Sequence, residues 1–296
     1  MNTIKNTFTI YDLEILSGIK AHTIRIWEKR YAVFNPDRIN RNVRIYSLLD
    51  LQKMLNLSLL YNHGIKISKL TDLSDRELAD KAKEVALEGI ANNYQINALI
   101  VSMYTFDVAV FQDVYLEEIK NNSFETIFIS IYLPLLKHIG VLWQTESIKP
   151  AHEHFISNLI YKKISLHISK LPRIEDTTKT VHVLFLPEGE GHEIGLYFLN
   201  YYLLSKGQRT IYLGQSIPFE DLFFINSQFQ NIQWVSSFVI DLVPKAKKQF
   251  VINAAKLLEN TKNNFWIIGS IWDDFEKKNL PKNISFYNGF KELIKL

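Results

Sequence analysis

The chain has 296 residues, 47% hydrophobic and 22% charged, with 34 Lys and Arg against 31 Asp and Glu for a formal charge of +3. It contains no cysteine, which excludes disulfides and thiolate metal sites and leaves any protein-held metal to His, Asp or Glu. The longest uncharged apolar stretch, Thr126 to Leu136, is far too short to cross a bilayer, and the N-terminus lacks a secretory pattern, so a cytoplasmic protein without membrane attachment is expected.

The small net charge hides an uneven distribution. Residues 1–70 hold eleven Lys and Arg against five acids, a surplus of six, and the remainder carries a net −3. A basic end joined to a mildly acidic body suggests a nucleic-acid module attached to something else. Thr9 can cap a short helix from Ile10, with Leu13 and Leu16 on one face and Ser17-Gly18 at its end. After a short turn a second helix is predicted from about His22 to Arg30, with Ile24 and Trp27 inward. This is the helix-turn-helix pattern, in which the second helix offers side chains to base edges; His22, Thr23 and Arg25 are the candidates.

Val33 to Asp37 and then Arg38, Arg41 and Arg44, ending in Val43-Arg44-Ile45-Tyr46, look like a two-stranded wing. Arg25, Arg30, Arg41 and Arg44 can neutralise phosphates, and Tyr46 is counted with them as a DNA-contact residue. Ser47 with Asp50 starts an apolar helix, Leu48–Tyr61, that stops at Gly64, and further helix is expected over 65–70 and from Ser74. Over about residues 8–75 the chain resembles the MerR family of winged helix-turn-helix regulators. The resemblance rests on Thr9-Ile10, Leu13, Ser17-Gly18-Ile19, Thr23-Ile24-Arg25, Trp27-Glu28-Lys29-Arg30-Tyr31, Arg44-Ile45-Tyr46-Ser47 and Gly64. The resemblance implies dimers on inverted repeats of double-stranded DNA, and its closest branch carries cobalamin-binding C-terminal domains.

Residues 76–171 read as a four- or five-helix bundle: Ile96, Leu99, Ile100 and Met103 form one apolar stripe, and Ile127 to Leu142 is almost wholly apolar. Trp143 ends one helix; Pro150 opens the next, placing Glu153 and His154 in its first turn. His152 and His154, two apart on a helix, point away from each other and make a poor shared ion site. A linker, 172–179, leads into strand candidates at 180–186, 209–213, 233–240, 265–269 and 284–287. They alternate with helices near 193–206, 219–230, 246–260 and 289–295, the pattern of a doubly wound parallel sheet.

The first of these strands runs into Pro187-Glu188-Gly189-Glu190-Gly191-His192-Glu193-Ile194-Gly195. A neutral imidazole ligates metals well, and a nearby carboxylate can fix its tautomer; Glu190 and His192 form such a pair in sequence. With Gly207, Tyr212-Leu213-Gly214 and Pro218 to Leu222, this segment resembles the cobalamin-binding domain, whose motif is an acid, any residue, His, two residues and Gly. The resemblance makes His192 the lower axial ligand of cobalt. Gly195, Ser236 and Gly269 then line the slot for the displaced nucleotide tail. The chain departs from the pattern at Phe238, where Leu is usual after Ser236-Ser237, and at Ser270, where a second Gly is usual. Trp143, nine residues, then Glu153-His154 resembles the signature of cobalamin-dependent light-sensing MerR-type regulators, in which these residues meet the adenosyl group. Gln144 stands where some members carry a second cobalt-ligating histidine, and His138 is the nearest alternative.

The expected architecture is α plus α/β multidomain: winged helix-turn-helix over 1–75, helical bundle over 76–171 and Rossmann-like domain over 180–296. The expected function is that of a non-enzymatic DNA-binding repressor, dimeric or tetrameric. Adenosylcobalamin, seated between bundle and α/β domain, sets its oligomeric state and operator affinity, with light as the signal. Two readings compete: the same architecture without cobalamin, answering to a protein partner or its own concentration, and a cobalamin-carrying enzyme subunit. The latter is disfavoured because the three modules use the whole chain and leave no barrel for substrate chemistry.

Overall fold

The computed structural model describes residues 7–39, 43–87, 93–144, 148–174, 180–239, 242–276 and 280–294. The chain divides into two units, residues 1–159 and 160–296.

In the first unit β1 (Thr7–Thr9) leads into α1 (Ile10–Ser17), and α2 (Ala21–Tyr31) follows after a short turn. Thr9 Oγ1 accepts from the Asp12 amide at 3.2 Å while the Thr9 amide donates to Asp12 Oδ2 at 2.7 Å, a capping box in which Asp does the work of Glu. α1 ends at Gly18, which takes the left-handed conformation, φ 72°. Ala21, Ile24 and Trp27 bury one face of α2, and Trp27 meets Tyr61 edge to face at 5.1 Å.

β2 (Asp37–Ile39) and β3 (Val43–Ser47) form the wing, antiparallel with Arg38 opposite Arg44. The expected two strands are three: β1 pairs with the other edge of β3, Phe8 opposite Tyr46, giving the order β1-β3-β2. Phe8 is buried and meets Tyr104 edge to face at 5.0 Å, so packing rather than local propensity makes the extra strand.

Ser47 and Asp50 form a second capping box and start α3 (Leu48–Asn62). α4 (Ile67–Leu70), α5 (Asp75–Leu87), α6 (Asn93–Thr105), α7 (Val108–Glu118) and α8 (Phe124–Ile127) follow. α8 runs through a π-helical turn, Phe128–Tyr132, into α9 (Leu133–Gln144), and α10 (Pro150–Ile168) begins at the expected proline. Leu99, Ile100 and Met103 are buried as predicted, joined by Phe111 stacked on Tyr132 at 5.8 Å. α3 packs against both α5 and α6, so a helix of the expected first module also serves the core of the second.

In the second unit β4 (Val181–Pro187), α11 (Ile194–Ser205), β5 (Arg209–Ile217), α12 (Asp221–Gln228), β6 (Ile232–Ser237), α13 (Pro244–Leu258), β7 (Asn264–Ile268), β8 (Ile284–Tyr287) and α14 (Phe290–Leu293) alternate. All five strands are parallel, in the order β5-β4-β6-β7-β8. Alternate strand residues supply two cores. Val183, Phe185, Trp234 and Phe265 pack with Phe250 and Leu257 of α13, and Leu184, Leu186, Val235 and Ile268 pack with Leu196 and Leu199 of α11. Burying each such side chain contributes about 1.5–3 kcal/mol, which holds the strand ends, and the loops they carry, in fixed places.

The strand order reverses direction at β4 and β6. Crevices of open α/β sheets lie at the carboxyl ends of the strands at such a point.

Candidate functional site

Glu190 and His192 stand in the loop after β4, at this switch point. Glu190 is buried, 4% exposed, while the His192 side chain is 51% exposed. Glu190 Oε1 accepts from the His192 amide at 2.9 Å and faces His192 Nδ1 at 2.6 Å. Glu190 Oε2 accepts from the amide of Val239, in the loop after β6, at 2.9 Å. One carboxylate therefore ties together the loops that follow two adjacent strands. A carboxylate oxygen accepts, so the contact sets Nδ1 as the N–H nitrogen and turns the lone pair of Nε2 away from Glu190. This is the arrangement in which a metal-ligating histidine is oriented by an acid.

The rest of the loop is braced as well. The Tyr212 hydroxyl donates to Glu193 Oε2 at 3.1 Å; burial, and then the neighbouring Glu193 carboxylate, push the Tyr212 phenol well above its usual range. Tyr197 packs on Tyr212 at 4.9 Å and stacks on Tyr161 of α10 at 4.3 Å, and Ser165 Oγ is 3.1 Å from the Tyr197 hydroxyl. Sequence reading missed this ladder because its members come from three elements with no shared motif.

The other slot residues are placed unevenly. Ser236 shares the strand face of Trp234, whereas Ser237 shares that of Val235, toward α11. Both hydroxyls are buried with no hydrogen-bond partner among the described residues. Gly195 and Gly269 are both sites of close approach. A Cβ on Gly195 would lie 2.3 Å from Phe290 Cε2, and one on Gly269 would lie 2.5 Å from the Phe238 carbonyl oxygen.

Of the bundle residues, Glu153 is half-buried and accepts from Ser157 Oγ at 3.3 Å, and His154 is exposed. His152 is buried: its Nδ1 accepts from the Lys149 amide at 3.0 Å, and its ring stacks on Phe106 at 5.0 Å. One histidine points in and the other out, as their spacing requires. Burial lowers the pKa of His138, whose Nε2 has no partner among the described residues. Trp143 and Gln144 close α9, but their side chains lie outside the described residues. No three His, Asp or Glu side chains converge on a common point among the described residues.

At the basic end, His22, Arg25 and Arg30 are exposed on α2 and Thr23 is half-buried. Arg41 lies outside the described residues. Tyr46 is corrected: it is 0% exposed, its hydroxyl donates to Glu28 Oε1, and its ring meets Phe34 at 5.9 Å, so it braces the wing from within. Arg44 Nε lies 3.1 Å from Glu28 Oε2, which ties the wing to α2. The sign missed in the sequence was strand alternation, since Arg44 and Tyr46 share one face of β3.

Together these features define a helix-turn-helix protein with an appended α/β ligand domain. Residues 8–77 match the family described as MerR HTH family regulatory protein, and residues 95–166 match the B12 binding domain family. The chain thus carries a MerR helix-turn-helix region and a B12-binding region. It is 27% identical over 226 residues to the HTH-type transcriptional repressor CarH of Myxococcus xanthus, covering 74% of each chain. It is 26% identical over 226 residues to the HTH-type transcriptional repressor CarA of Myxococcus xanthus, covering 72% of this chain and 69% of that one. The monomethylamine corrinoid protein of Methanosarcina barkeri shares the fold, with a TM-score of 0.54 at 14% identity over 67% of this chain and 93% of its own. No helix among the described residues is long and apolar enough to cross a membrane.

Proposed function

We propose that this chain is a transcriptional repressor that binds double-stranded operator DNA and is controlled by adenosylcobalamin, with His192 as the lower ligand of cobalt. The observation that carries this reading is the Glu190–His192 contact at the switch point of the sheet. A single oriented imidazole suits a metal that arrives with its other ligands in a macrocycle. The buried hydroxyl of Ser237 and the bare Cα of Gly195 give the α11 side of the sheet a polar donor and a close approach, which fit an aromatic base. When bound, the cofactor supplies a cobalt–carbon bond that light can cleave.

The chain's own residues divide the remaining work. Glu190 holds the imidazole. Trp143, Glu153 and His154 are assigned to the adenosyl group, on the resemblance of their spacing. His22, Thr23 and Arg25 read bases, while Arg25, Arg30 and Arg41 meet phosphates and Arg44, paired with Glu28, is partly withheld from them. The modules run over 1–75, 76–171 and 180–296 in a cytoplasmic dimer or tetramer without enzymatic activity. Paired DNA-binding modules gain affinity by avidity, so a change of oligomeric state changes operator binding.

The test is DNA binding by wild type and His192→Ala with adenosylcobalamin, in darkness and after illumination. Wild type should change affinity with cofactor and light and His192→Ala should not; identical behaviour in every condition sinks the reading. The competing reading, this architecture without cobalamin, draws on Ser270 and on the Phe290 ring against Gly195. Adenosylcobalamin added in the dark with no absorbance shift and no change in mass would favour it.

A further inference from the structure

The α11 side of the sheet is apolar, with Leu186, Val235 and Ile268 meeting Leu196 and Leu293. Two features break this pattern. Ser237, 3% exposed, lies on that face by strand alternation, and its hydroxyl has no partner among the described residues. A buried polar group left this way calls for a missing partner. The second feature is the Phe290 ring, pressed onto the Cα of Gly195, three residues after His192. A Cβ there would stand 2.3 Å from Phe290 Cε2 and 2.8 Å from Cζ.

The ring is carried by a short element. α14 spans four residues, from Phe290 to Leu293, and Phe290 itself is only half-buried. Leu293 is buried in the core beside it, and the element's hydrogen bonds include the Asn288 amide to Glu292 Oε2 at 3.0 Å and the Tyr202 hydroxyl to the Ile294 carbonyl at 2.9 Å. Both can persist while one side chain changes rotamer.

We propose that Phe290 is a displaceable plug, holding the place that the aromatic base of a corrinoid's nucleotide tail takes on binding. The inference rests on His192 being the residue that would hold cobalt, in place of the corrinoid's own tethered base. Exchange of one aromatic ring for another keeps the apolar contacts. Because the slot is competent only with the ring withdrawn, apparent affinity is reduced by the open fraction.

The experiment is absorbance titration of the full chain with adenosylcobalamin and with adenosylcobinamide, the same corrinoid without the nucleotide tail. Phe290→Ala should tighten adenosylcobalamin by about tenfold, for an open fraction of roughly a tenth in wild type, and leave adenosylcobinamide unchanged. Circular dichroism of each variant checks that it folds, and Phe290→Leu supplies a milder opening, with an intermediate gain. Equal change with both corrinoids, or no gain with the tailed one, overturns the plug. Loss of both ligands in His192→Ala, with Phe290→Ala silent, overturns the plug alone; failure of wild type to bind either corrinoid overturns the cobalamin reading with it.

Discussion

Glu28 in the basic end and Glu190 in the α/β domain are both nearly buried acids beside a functional cation or imidazole, yet they act in opposite directions. Glu28 engages two side chains, the Tyr46 hydroxyl and Arg44 Nε, and draws the wing onto the recognition helix. Glu190 is held by two backbone amides, those of His192 and Val239, and turns the imidazole outward. An acid anchored by side chains locks its neighbours, whereas an acid anchored by the backbone presents one. The arginine of the first pair is thereby held by its acid, while the imidazole of the second is left half exposed.

The largest expected effect comes from breaking the backbone-anchored acid. Glu190→Ala removes the shared acceptor of two part-buried amides, and the expected cost is about 2 kcal/mol in urea unfolding. Glu190→Gln, which keeps one acceptor oxygen, should cost less. Unfolding of the alanine variant at the wild-type urea concentration would mean that the two loops are not clamped by this residue.

Glu28→Gln sharpens the other half of the comparison. Tyr46 keeps an acceptor, so stability should fall by only about 1 kcal/mol. Arg44, no longer held by a charge, becomes available to a phosphate. The slope of log affinity against log salt should steepen by about 0.9, one phosphate's worth. An unchanged slope would show that Glu28 does not withhold Arg44.

The smallest effect concerns a buried histidine, His182. Burial lowers the pKa of His182 from 6.5, against a weaker opposing hydrogen bond to the Arg209 backbone. The unfolded chain therefore binds a proton that the folded chain refuses. Stability from this group is fully present above about pH 6.5 and declines as pH falls below it, toward the lower folded value. His182→Gln should flatten the decline of unfolding free energy below pH 6.5, leaving the share due to His138, lowered for the same reason. An equally steep decline in the variant would assign it elsewhere.

Much of the fold is legible in the sequence because its signals are local. Thr9 with Asp12, Ser47 with Asp50, and Pro150 mark helix starts within a residue, and the five parallel strands fall where β-branched and aromatic runs predict them. β1 was not legible: three residues cannot display alternation, and their pairing depends on a partner over thirty-five positions away. The burial of Tyr46 and the choice between Ser236 and Ser237 each turn on strand phase, where a slip of one residue reverses the face. The third strand was expected to run to residue 240 and ends at Ser237, which blurred that phase. Phe290 gave no signal at all, because a lone aromatic in a terminal helix acquires its meaning only from the missing Cβ of Gly195.

The bridge from Glu190 to both the His192 loop and the Val239 amide also bears on when order is imposed. An imidazole on an open loop would have to surrender its rotamer freedom at the moment of ligation, at a cost of about 0.5–1.5 kcal/mol. Here the ring's orientation is settled during folding, together with the two loops beneath it. A ligand reaching His192 meets a preorganised donor, and what remains of the entropic barrier to binding lies in the ligand's own tail and in the groups that make way for it.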